Sequence, residues 1–241
     1  MYEIIHILTE GSLNIPQRLS LILAVLISVV VFIFVVNPIH NNLKISLAKF
    51  SCKTISDGDE LPNKGFLSSF SWLSLLSVVV LHTGFAKPVI FDSKKLKRPK
   101  QNMLFIACTG IFVYIAAALV FFFFYVFLRQ MKLFDVETAT VPVAGAPVYV
   151  YAYQSVYSAI YYLSRLCFNS AIIAFLPLIP FDMGDLIKTL LSEKASAFLE
   201  KHYMKITAVL IAVAFLTVGR PDGLIENFSS SVMYWLYTMI T

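Results

Sequence analysis

Four histidines and three cysteines are the residues of this chain whose types best suit metal binding or nucleophilic chemistry: His6, His40, His82 and His202, with Cys52, Cys108 and Cys167. Two imidazoles four residues apart would share one helix face and could grip a metal between them. No two of the four histidines stand at that spacing. Three cysteines make no disulfide framework, and Cys108 and Cys167 lie in apolar runs, where a thiol behaves as a small hydrophobe. Among carboxylates, Asp182 follows Pro180 and has Asp185 three residues on, the pattern of a helix N-cap. His40 reads as an interfacial polar residue. Two cationic features are candidates for interaction. Arg165 interrupts an apolar stretch, where an ionisable group is expensive and often functional, although Tyr161-Tyr162 three residues earlier brings it within reach of headgroups. Lys87 to Lys100 sets six Lys or Arg, among them Lys94, Lys95, Lys97 and Arg98, against a single Asp.

The elements that must position these groups are dominated by apolar runs. The 241 residues are 59% hydrophobic and 14% charged, with a mean hydropathy of +0.79, well outside the usual soluble composition. Leu21 to Val36 and Met103 to Leu128 approach or exceed the ~20 residues of helix that cross a bilayer. Apolar runs without period-2 alternation exclude a transmembrane barrel, leaving helices as the way to satisfy the backbone in lipid. The net charge of +5 does not signal nucleic-acid binding, because the basic residues lie between spans, where the positive-inside bias places them. The first 17 residues hold no Lys or Arg and no small-residue cleavage pattern follows, so the first span is expected to stay in the mature protein.

Along the chain, a first span is predicted over 17–36, ending or kinking at Asn37-Pro38. A polar stretch runs to Lys64, and 66–85 forms a weaker, serine-diluted apolar segment that either crosses or re-enters. The surest span is 103–128. Residues 133–154 are irregular, and the tyrosines from Tyr149 to Tyr162 suit an interface before the chain dives to Pro177. Residues 183–199 carry one apolar face and read as a surface helix, followed by a span at about 204–219 and a short terminal helix. If 66–85 re-enters, then 41–64, 87–100 and 182–205 share the inner side and hold 14 of the 19 basic residues. Re-entry is the favoured reading on that count. A single membrane domain, 1–241, follows.

Three stretches together resemble a known family. Gly84-Phe85-Ala86-Lys87-Pro88-Val89, the basic stretch through Arg98-Pro99-Lys100 into a long span, and Leu176-Pro177-Leu178-Ile179-Pro180-Phe181-Asp182-Met183-Gly184 resemble, in order and spacing, the Gly-Trp-Ala-Lys-Pro-Val and Leu-Pro-Ile-Pro-Pro-Leu-Asp-Gly-Gly segments of compact bacterial site-2 proteases, the intramembrane zinc metalloproteases. The resemblance covers about residues 20–241. It implies an all-α bundle of about four to six membrane segments, one of them re-entrant.

In that family a His-Glu-x-x-His helix supplies two zinc ligands and the general base, and the later Asp is the third ligand. This chain lacks the motif. At its expected place stands Asn37-Pro38-Ile39-His40-Asn41. In one register Asn37 and Asn41 replace the ligands and Pro38 the base. Starting instead at His40 keeps one imidazole, with Asn41 at the base and Lys44 at the second ligand. Neither register supplies the chemistry. Thr109-Gly110-Ile111 with Tyr114, and Ala174, also depart from polar positions of the relatives. The degenerate site is therefore Asn37, Pro38, Asn41 and Asp182, with no zinc or other cofactor expected. What the resemblance implies is a pseudoprotease acting as an accessory or scaffold subunit, bound to an integral membrane protein or multi-subunit complex in a bacterial or organelle inner membrane. Anionic lipids are expected at the basic loop. The alternatives are an active protease with an unorthodox metal site and a small transporter or channel component.

Overall fold

In a computed structural model of the chain, the described residues are 7–8, 13–51, 70, 72–81, 83–86, 96–131, 148–176, 181–192, 194–199 and 224–240, with 201, 202, 205, 206 and 209. They are overwhelmingly helical, and no strand occurs among them. The polar stretch 52–64, residues 133–147, residues 87–95 of the basic loop and most of the span expected at 204–219 lie outside the described residues, whereas 148–154, expected to be irregular with 133–147, is helical.

The first helix, α1, runs Ile15–Ser51 without interruption. It starts at a reciprocal cap: the Gln17 amide N–H donates to Asn14 Oδ1 at 2.9 Å, and the Asn14 N–H donates to Gln17 Oε1 at 2.8 Å. Pro16 lies in the first turn, where its missing N–H costs nothing. Of the end or kink expected at Asn37-Pro38, the end is not there. Phe32–Val36 forms a π-helical turn, closed by the Asn37 N–H on the Phe32 carbonyl. Widening this turn moves the carbonyl that the Pro38 ring would otherwise strike, so the helix continues past the proline.

Five further helices follow α1 among the described residues. Trp72–Leu81 (α2) has ten residues, which rise roughly 15 Å, half of a hydrocarbon core. Pro99–Gln130 (α3) has 32 residues and begins with proline at its first position. Val148–Ala174 (α4) gathers the tyrosine-rich stretch and the following apolar stretch into one helix. Asp182–Leu190 (α5) is short, and Leu224–Ile240 (α6) ends the described chain. The surface helix expected at 183–199 is broken: α5 stops at Leu190, Leu191 is extended, and helix resumes at 194.

α4 packs against both α1 and α3, and α5 lies against α3. The core between them includes Phe32, Val36, Tyr114, Leu163, Cys167 and Ala171. Small and polar residues occupy this interior. Ser20 Oγ donates to Gln154 Oε1 at 3.0 Å, and Ser164 Oγ donates to the Ala118 carbonyl at 2.8 Å, close approaches of the kind small residues permit between membrane helices. The outward faces are apolar: Leu19, Leu23 and Val30 on α1, and Phe105, Phe112 and Val120 on α3, are all exposed. Two helices, Ile15–Ser51 and Pro99–Gln130, are long and apolar enough to cross a membrane, and their most apolar windows are only 39% and 33% buried. A helix from the core of a soluble protein would be mostly buried.

Candidate functional site

Beyond the π turn, α1 presents Asn37, His40, Asn41 and Lys44 at helical spacings of three and four, one face of the helix. All four are buried. Opposite stands Asp182, the first residue of α5, 6% exposed. His40 Nε2–H donates to Asp182 Oδ2 at 2.8 Å, and Lys44 Nζ donates to Asp182 Oδ1 at 2.5 Å. One carboxylate thus receives an imidazole and an ammonium, each on its own oxygen. The far ring nitrogen of His40, Nδ1, lies 3.1 Å from Asn41 Oδ1.

Two residues of α3, one turn apart, complete the enclosure. Tyr114 stacks on the His40 ring at 4.6 Å between centroids. Its hydroxyl donates to Asn37 Oδ1 at 3.1 Å and accepts the Ala86 N–H at 2.9 Å. Gly110 lies against the ion cluster itself. A Cβ there would stand 2.6 Å from His40 Nε2 and collide with Asp182 Oδ2, so only glycine lets α3 approach this closely. Residues 83–86, outside any helix, close another side: Gly84 N–H donates to Ser170 Oγ at 2.9 Å, and Ser77 Oγ donates to the Thr83 carbonyl at 2.6 Å. Phe85 packs with Ile173 and Phe181.

Burial by itself pushes the Asp182 carboxyl up, but the neighbouring His40 and Lys44, by charge and hydrogen bonding together, outweigh it and hold the group well below the usual carboxylate range. The arrangement is a satisfied buried ion cluster rather than an exposed acid.

Three expectations change here. Asp182 does not cap its helix: the cap position is Phe181, without a side-chain cap, and the carboxylate is turned onto α1. Two charge-assisted bonds from fixed partners outweigh one bond to a backbone N–H. His40, expected as an interfacial polar residue, is 3% exposed at the centre of the cluster, and Lys44 is no loop charge but 2% exposed within α1. Of the two registers in which the resemblance lets this segment be read, the one beginning at His40 contains both groups that reach Asp182, while Asn37 serves Tyr114 and Pro38 follows the π turn. The sequence signal was the four-residue step from His40 to Lys44, with Gly110 and Tyr114 at the same step on α3.

The remaining candidates lie elsewhere. Arg165, on α4, sits over the Tyr161 ring at 5.9 Å and is not among the residues that hold Asp182. Lys97 and Arg98 are exposed. The Lys97 N–H caps α1 by donating to the Ser51 carbonyl at 3.0 Å, and Arg98 reaches Gln101 at 3.4 Å. Lys94 and Lys95 lie outside the described residues.

Comparison with protein-family models, with curated proteins and with solved structures gives no match.

A zinc ion of the kind implied by the resemblance does not fit these donors. His40 Nε2 must carry a proton to bond Asp182, and a protonated nitrogen is not a ligand. The other Asp182 oxygen is engaged by an ammonium, which has no lone pair to offer. Among the described residues no three His, Cys, Asp or Glu side chains cluster as a metal would require.

Proposed function

We propose that this chain is a multi-pass integral membrane protein with a site-2-protease-like core and no catalysis of its own, serving as an accessory or scaffold subunit that holds another membrane protein or complex. The observation that carries this reading is the ion cluster. The side chains that would have to ligate a metal and activate water instead bond one another, so the site has neither an open ligand nor a free base. What the cluster does hold is a fixed arrangement of α1, α3 and α5, a rigid frame of the sort that binding needs.

In this reading α1, α3 and α4 cross the bilayer and the ten-residue α2 enters and returns on one side. Lys97, Arg98 and Lys100 then stand beside the inner end of α1, where they face anionic headgroups.

Purification of the full chain from native membranes in mild detergent tests the proposal. The expected result is a membrane protein recovered in fixed stoichiometry, whose abundance falls when the chain is deleted. Recovery of the chain alone, together with zinc-dependent cleavage of a transmembrane peptide that disappears in Asp182→Asn, overturns it.

A further inference from the structure

We infer that Lys44 is a tethered cation that takes the structural place of a bound metal ion, cross-linking α1 to α5 through Asp182. The inference rests on the reading of this chain as a metal-free relative of a metalloprotease, and it says what holds such a site together.

Three observations carry it. The Lys44 ammonium bonds one Asp182 oxygen while His40, one turn earlier on the same helix, bonds the other. The carboxylate is therefore clamped from α1 as two ligands and a metal would clamp it. Lys44 reaches this point through the bundle interior, 2% exposed. Burying an ammonium there without a partner is strongly unfavourable, and Asp182 is what makes its position tenable. Finally, the enclosure is complete. Gly110 brings the α3 backbone onto the cluster, where no side chain could fit, and Tyr114 covers the imidazole. A lysine is covalently held, so no chelator removes it and no exchange with solution interrupts the link.

The prediction separates an internal cation from an external one. For the full chain in detergent, the thermal midpoint of the natural protein should be unchanged by either EDTA or zinc chloride. Lys44→Ala should lower it by several degrees, since the carboxylate stays buried and loses a partner. Removing both charges, in the Lys44→Ala, Asp182→Ala double variant, should lower it less than the two single losses combined. Lys44→His should bind roughly one zinc per chain and regain stability in zinc chloride but not in EDTA.

A natural protein destabilised by EDTA overturns the inference, as does a Lys44→Ala variant with an unchanged midpoint. Strictly additive losses in the double variant do the same, and this arm decides the matter if Lys44→His fails to fold. None of these measurements involves a partner. An unchanged Lys44→Ala midpoint beside intact partner recovery removes the tethered cation alone; the expected zinc and stability responses without any partner remove the scaffold reading alone.

Discussion

Asp182 shows how far one side chain's role depends on what reaches it. As a helix cap it would tolerate Asn, which caps as well as Asp. Placed between His40 and Lys44 it should not. An amide presents one acceptor and no charge, so Asp182→Asn is expected to leave the Lys44 ammonium buried and unpaired, a loss of about 3–5 kcal/mol. Thermal unfolding in detergent checks this: Asn and Ala should fall together, whereas a near-natural Asn variant would return the residue to capping. The pH dependence follows from the same contacts. The folded carboxyl is held below its ordinary value, so its contribution is fully present above the unfolded pKa and is lost as pH falls through that range toward the depressed folded value. Stability should therefore show an acid loss beginning below about pH 4, and Asp182→Asn should remove that component. Gly110 gives a third test at this scale. Gly110→Ala forces a methyl against Asp182 and His40, and overpacking of this kind costs about 1–3 kcal/mol.

Among elements, α1 has the most particular design. Its start is secured by the reciprocal Asn14 and Gln17 cap; Asn14→Ala should cost about 1 kcal/mol, visible as earlier thermal loss of helix by circular dichroism. Its middle contains the π turn, which does two things at once. It accommodates Pro38, and it resets the helical phase so that His40 and Lys44, rather than outward neighbours such as Ile39 and Leu43, face α5. Sequence periodicity assumes a constant turn. One inserted residue shifts every later side chain by about 100°, so the register beginning at Asn37, which the sequence reading favours, does not line up on Asp182: Asn37 meets Tyr114, while His40 and Lys44 reach the carboxylate. The break after α5 has a similar local cause: Leu191 is extended, and Ser192 Oγ accepts the Ala195 N–H at 3.4 Å as the next helix starts.

For the molecule as a whole, the test is sidedness. If α2 enters and returns, Lys44 to Lys64, Lys87 to Lys100 and Lys188 to Lys205 flank the same face of the membrane. Single cysteines placed at Ser56, Ser93 and Ser192 should then all react with an impermeant reagent from one side. Labelling of position 56 from the opposite side would mean that 66–85 crosses. At the far ends of α3 and α4 the packing is aromatic: Tyr125 lies between Tyr157 and Tyr161, and Arg129 sits 4.7 Å from the centre of the Tyr237 ring on α6. The Arg129 contact, with Met233 packed against Phe122 and Val126, docks α6 onto the bundle.

Composition and apolar run length alone determined that this is a helical chain with segments suited to a bilayer, because those properties depend on the residues present and on local periodicity. Leu21 to Val36 and 103–128 were readable for that reason, and so was the lack of a paired-histidine metal motif. The placement of Asp182 was not. Its cap-like neighbours, Pro180 and Asp185, are local, whereas the groups that engage it lie 138 and 142 residues away on α1. Only the tertiary structure brings them together, through a π turn that changes the phase of one helix and a glycine that lets another approach. A buried charge takes whichever partner the fold delivers, and local sequence does not say which that will be.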